Sequence, residues 1–152
     1  MRFRTPWFIY AGMMWTALFA FMSFYWAAGG MIGVESLGGS IYEMALTRPP
    51  GFIAFVWVTG IVKLAGVVLL FGLLRSSNAR TKLRRPLSIV CLIAGIFMIL
   101  YGVGNFITIS LSAMNVLHFD LTPYAFRWRL LFWEPYWICG GLLYVLAGYK
   151  LK

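Results

Sequence analysis

Four polar side chains stand inside stretches that are otherwise apolar: Ser23 in TALFAFMSFYWAA, Lys63 in WVTGIVKLAG, Asn105 in YGVGNFITI and Glu134 in LLFWEPYWI. An ionisable group in such a setting marks a functional site by default, because burying it in hydrocarbon is costly. An ammonium, a carboxylate, an amide and a hydroxyl can do two things there. They can satisfy one another as a buried tie that holds helices in register. Alternatively they can line a pocket for a small polar or zwitterionic ligand, with Lys63 and Glu134 as its charged contacts and Asn105 and Ser23 as hydrogen-bonding neighbours. Tyr25, Trp26, Trp133, Tyr136 and Trp137 would then form its walls. A third chemistry, in which a buried Lys63 acts as a base or Schiff-base nucleophile, rests on that one residue. His118, the only histidine, lies beside Asp120 in a connecting segment and reads as an ordinary loop residue. The sequence has no second histidine, no C-x-x-C pair, no G-x-S-x-G and no phosphate-binding glycine loop, so neither a metal nor a cofactor is expected.

The elements that must position these groups follow from hydropathy. Of the 152 residues, 62% are hydrophobic and 11% charged, against roughly 45–50% and about 25% in soluble domains. The expected fold class is all-α, an integral membrane four-helix bundle in one domain. Its spans are expected at about 7–28, 52–74, 87–111 and 132–149, each near or above the ~18 apolar residues that cross a bilayer. The first run is longer than the h-region of a cleaved signal, which favours a retained anchor. Counting from Phe52, Lys63 is about 16 Å down its helix, near the middle of a ~30 Å core. Ser23 and Asn105 are about 8–9 Å from the outer ends of theirs, so the lysine stem could climb toward them and toward Glu134. Glu35 and Glu43 are the substitute carboxylates.

Charge sets the orientation. Nine of the thirteen basic residues fall at the N-terminus, in the 75–86 segment and at the tail, where there is no acid. The positive-inside rule makes both termini cytoplasmic and the 31–51 and 112–131 segments external. The basic 75–86 loop then faces anionic lipid headgroups, and nucleic-acid binding is not expected. The first external loop is expected to hold a short amphipathic helix through Leu37, Ile41, Met44 and Ala45, ended by Pro49-Pro50-Gly51. In the second, Thr122-Pro123 starts a helix whose aromatics and arginines suit the interface. A start or kink is expected within a turn of Glu134, because of Pro135. Pro86 is placed to begin the third span.

Small residues recur at helical spacing: Gly60 and Gly66 in span two, Gly95 and Gly102 in span three, Gly141 and Gly148 in span four. Such faces let membrane helices approach closely. The segments FYWAAGG (Phe24 to Gly30) and PYWICGG (Pro135 to Gly141) echo each other, but both lie at the same membrane face, whereas an inverted repeat would put them at opposite faces. Gly29-Gly30 should end a helix and Gly140-Gly141 should sit within one. Cys91 and Cys139 lie too far apart along their spans for a disulfide and read as buried apolar side chains.

YWAAGG with GVESLGG, WVTGIVK, LYG and RWRLLFWEPYWICGG together resemble the bacterial membrane family called domain of unknown function 3995 over almost the whole chain. The resemblance implies a small four-span protein of the bacterial cytoplasmic (inner) membrane, and it implies no activity. Binding of a small polar or amphiphilic molecule is the leading functional expectation, with transport calling for a homodimer because four helices enclose little space. The alternative is an accessory or protective membrane subunit whose polar tie is structural only.

Overall fold

A computed structural model describes residues 7–79, 82–114, 116–117 and 121–151. Readings that involve Arg2, Arg4, Arg80, His118, Asp120 and Lys152 lie outside them. The helices are α1 (Trp7–Ala27), α2 (Gly39–Thr47), α3 (Pro50–Ala79), α4 (Arg84–Ala113), α5 (Pro123–Trp128) and α6 (Glu134–Lys150), with a π-helical segment, Arg129–Trp133, joining the last two. No strand occurs among the described residues. Four stretches are long and apolar enough to cross a membrane: α1, most of α3, α4, and α5 through α6. The protein is an integral membrane four-helix bundle.

The four long helices run up and down in turn. The closest packing is between α4 and α6 and between α1 and α3, and the two pairs meet through α1–α6 and α3–α4. Glycine sets the α4–α6 contact. A Cβ on Gly95 would lie 2.7 Å from the Gly141 carbonyl oxygen, one on Gly141 would lie 2.7 Å from the Gly95 carbonyl oxygen, and one on Gly148 would lie 2.7 Å from that of Ser88. Glycines seven residues apart on both helices thus bring backbone against backbone, the packing that works where lipid provides no hydrophobic drive. Outside this seam, Phe21, Val62 and Phe97 are each more than 60% exposed. Helices apolar all round belong in lipid.

The aliphatic core occupies the half of the bundle near the α3–α4 turn, where Ile9, Leu70, Leu73, Leu74, Cys91, Met98, Tyr144 and Ala147 pack together. Thr16 and the Tyr144 hydroxyl share a hydrogen bond of 3.0 Å. Gly66 leaves room for that hydroxyl, since a Cβ there would lie 2.5 Å from it. Toward the opposite end, which carries α2 and α5, rings replace aliphatics.

Helix ends follow their sequences, with two differences. Gly29 adopts φ 109°, closing α1, and Thr122 accepts a hydrogen bond from the Ala125 amide (3.2 Å) to cap α5. The short helix expected in the first loop is α2, with Ala45 on its buried side. However, α3 continues five residues past the expected end at Leu74, and α4 begins at Arg84, before Pro86. Hydropathy reports where a helix is apolar, while backbone hydrogen bonding continues into headgroups and water. Pro86 is tolerated because a first-turn residue needs no intrahelical N–H bond. Cys139, expected to be buried, is exposed on the bundle surface, while Cys91 is buried, and both are free thiols.

Arg48 has a structural role that its position in a loop does not reveal. Its guanidinium donates to the Ala27 carbonyl (2.8 Å) and the Trp26 carbonyl (3.3 Å), so a cation meets the negative end of the α1 dipole. The residue itself takes φ 49°, the left-handed region. Arg48→Ala should lower stability by about 1–2 kcal/mol, the scale of charge-assisted cap bonds. Arg48→Gly should lose about 1 kcal/mol less, because glycine enters that region without strain. Thermal unfolding of the two variants in detergent orders them, and equal losses would contradict the backbone part of this account.

Candidate functional site

Lys63 emerges from the middle of α3 and reaches α1. Its Nζ donates to Ser23 Oγ at 2.7 Å and sits 4.0 Å from the centre of the Phe19 ring. Ser23 in turn donates to the Phe19 carbonyl at 3.2 Å. Phe19 and Ser23 lie one helical turn apart on α1, so a single face presents ring and hydroxyl to one ammonium. The Lys63 backbone is deep, but its charge is not. Ser23 precedes the end of α1 at Ala27 by about 6 Å, so the stem holds the ammonium about one helical turn inside that end of the bundle.

Glu134 is answered elsewhere. Its Oε1 accepts from Arg129 Nε at 3.2 Å and Nη2 at 3.1 Å, the sole ion pair among the described residues. Residues five apart on an α-helix point about 140° away from each other. Here the Glu134 amide bonds to the Arg129 carbonyl, an i→i+5 turn, and the widened turn stacks the two side chains. Pro135 explains the widening. It has no N–H to give, and its ring would crowd the carbonyl four residues earlier. The expected irregularity near Glu134 is therefore present, as a π turn preceding the proline. Asn105 stands near the same carboxyl without a hydrogen bond to it. The Asn105 Nδ2 and the second Glu134 oxygen are both buried without a hydrogen bond.

The expected polar set thus divides. Lys63 and Ser23 meet, Glu134 and Asn105 adjoin, and the anticipated pairing of Lys63 with Glu134 or Asn105 does not form. The physical reason is proximity: Arg129 shares a turn with Glu134, while Lys63 belongs to the α1–α3 pair. Glu35 and Glu43 are both exposed and do not dip inward to replace Glu134.

The aromatic residues divide as well. Trp133 is buried, donates to Ser36 Oγ at 2.8 Å and packs 5.7 Å from Trp26, whose own indole N–H bonds to the Ile32 carbonyl. Tyr136 stacks on Trp15 at 4.6 Å and donates to the Trp15 carbonyl at 3.0 Å. Trp137 wedges inward, edge-on to Phe19 and Tyr101 at 5.0 Å each. Gly140 makes this cluster possible, because any side chain there would occupy the Trp15 ring. Tyr25 stands apart, its ring folded over the Gly30 turn.

A cleft of about 330 Å³ lies between α1 and the α5–π–α6 segment. Leu18, Phe19 and Met22 form one wall and Tyr124, Trp128, Phe132, Trp133 and Tyr136 the other, with Gly33 and Ser36 from the first loop. It is apolar, where the sequence had suggested a polar pocket, and neither Lys63 nor Glu134 lines it. On the second wall every fourth residue contributes a ring, at centroid separations of 6.2 Å (Tyr124–Trp128), 5.9 Å (Trp128–Phe132) and 5.4 Å (Phe132–Tyr136). That spacing is visible in the sequence; the facing wall from α1 is not. Phe19 is the hinge of the arrangement: it lines the cleft, touches Trp15, Trp133, Tyr136 and Trp137, and offers a ring face to Lys63.

Nothing among the curated proteins or the solved structures matches this chain. The family model described as Protein of unknown function (DUF3995) matches residues 16–144, and the chain belongs to that family.

Proposed function

We propose that the protein binds an amphiphilic molecule taken from the membrane leaflet at the α2/α5 end, with the apolar part of the molecule in the aromatic cleft. The cleft carries this reading: its volume falls within the range of ~300–1,000 Å³ usual for small-molecule sites, and a row of rings forms one of its two walls. Charge supports the orientation. Arg75, Lys82, Arg84, Arg85 and Lys150 gather at one end without an acid, whereas at the other Arg48, Arg127 and Arg129 are offset by Glu35, Glu43 and Glu134. This favours a cytoplasmic basic end, facing anionic headgroups, and an outward cleft. The family resemblance supports placement in the bacterial cytoplasmic membrane. Glu134, closed by Arg129, belongs to a structural tie rather than to the ligand set. Transport would require pairing of two copies, since the cleft does not continue toward the basic end.

Leu18 is 59% exposed on the α1 wall, so Leu18→Trp can fill the cleft without disturbing the core. Dodecanol added to wild-type protein in a maltoside detergent should raise the unfolding temperature by several degrees, and the rise should vanish in Leu18→Trp. Equal stabilisation of both proteins would refute the cleft as the binding site.

A further inference from the structure

We propose that Lys63 receives an anionic headgroup, a phosphate or carboxylate, of the amphiphile whose tail lies in the cleft; this deepens the binding reading above and rests on it. The first support is the character of the ammonium's partners, a hydroxyl oxygen at 2.7 Å and a ring face at 4.0 Å, both neutral. Because the Ser23 proton is directed to the Phe19 carbonyl, the hydroxyl meets Lys63 as an acceptor, and a lysine has three N–H groups to place. The only acid within any long helix, Glu134, is committed to Arg129. Among the described residues a cationic ligand group therefore has no carboxylate beside Lys63, which turns the expected zwitterion into an anion.

Depth and access agree. The ammonium lies about one helical turn inside the end of α1, a level that lipid phosphates and carboxylates reach with little displacement. Along residues 50–69 of α3 only Gly60 is buried, whereas Leu70, Leu73, Leu74 and Ser76 are buried farther along. The half of α3 that bears Lys63 thus leans on α1 and is otherwise open to the leaflet. One ring separates the two places, since Phe19 lies beneath the ammonium and also lines the cleft. In surroundings this apolar, a charge-assisted bond is stronger than the hydroxyl contact and outcompetes it.

The test compares dodecyl phosphate, dodecanol and inorganic phosphate on the full chain in a non-ionic maltoside, read as dissociation constants. Dodecyl phosphate should bind at least about tenfold more tightly than dodecanol, the scale of one hydrogen bond to a charged group. Lys63→Met should bring dodecyl phosphate to the dodecanol value while leaving dodecanol unchanged. The wild-type preference should persist in Lys82→Gln/Arg85→Gln, which removes exposed charges at the other end. That arm also decides the matter should Lys63→Met fail to fold, since loss of the preference there would overturn the proposal. Equal wild-type affinity for phosphate and alcohol overturns the anion site but leaves the cleft standing. Binding of neither overturns the cleft reading and this one with it. Inorganic phosphate binding alone, dependent on Lys63, supports an anion site fed from solution and overturns the lipid source.

Discussion

Gly141→Ala should destabilise the bundle by about 3 kcal/mol, although it adds one methyl group. Overpacking usually costs 1–3 kcal/mol because side chains yield. Here the obstacles are the Gly95 carbonyl oxygen at 2.7 Å and the Ile99 amide nitrogen at 2.9 Å, both backbone atoms of a helix that cannot yield locally. Separating α4 from α6 enough to admit the methyl would loosen the Gly95, Gly102 and Gly148 contacts together. Gly104, on the outward side of α4 with nothing within 4 Å of a Cβ, provides the control. Gly104→Ala should be neutral or up to about 1 kcal/mol more stable. Unfolding in detergent, followed by temperature and by denaturant, separates the two. A Gly141→Ala protein that unfolds with the wild type would show that the glycine seam is not what holds these helices.

Arg129→Met should cost about 3 kcal/mol. Removing one member of a buried ion pair leaves the other without compensation, at 3–5 kcal/mol in buried cases. The lower value applies because the Arg129 side chain is 23% exposed, against 3% for Glu134. The double variant Arg129→Met/Glu134→Gln should recover most of the loss, since it removes the stranded charge. A double-mutant cycle gives the coupling, and a loss undiminished by the second substitution would mean that Arg129 acts by packing alone. Neither change should abolish dodecanol binding, because Glu134 and Arg129 lie outside the cleft.

These two results concern features that differ in how far the chain alone reveals them. The glycine faces are legible as spacing: residues seven apart fall on one side of any helix, and in lipid such sides meet. The π turn is legible only as an interruption: Pro135 announces a start or kink near Glu134 but not its type, and α geometry would send Arg129 and Glu134 to different sides. Only the helix's actual accommodation of Pro135 brings them together. Likewise Tyr124, Trp128, Phe132 and Tyr136 share a spacing, but which residues of α1 face them depends on how α1 and α6 are rotated against each other. Phe19 had no mark in the sequence to separate it from its apolar neighbours.

The amino-acid order by itself determined the environment, the four spans, the short helices between them, the charge asymmetry and the small-residue faces. Each of these depends on one segment and its solvent, so local hydropathy and periodicity suffice. Tertiary structure alone decided that Lys63 turns to Ser23 and Phe19 while Glu134 turns to Arg129, and that the cavity between α1 and α6 is apolar. Partner choice is a competition among side chains distant in sequence, settled by helix rotation and reach. A lysine stem long enough to reach several candidates takes the acceptor on the helix packed against its own.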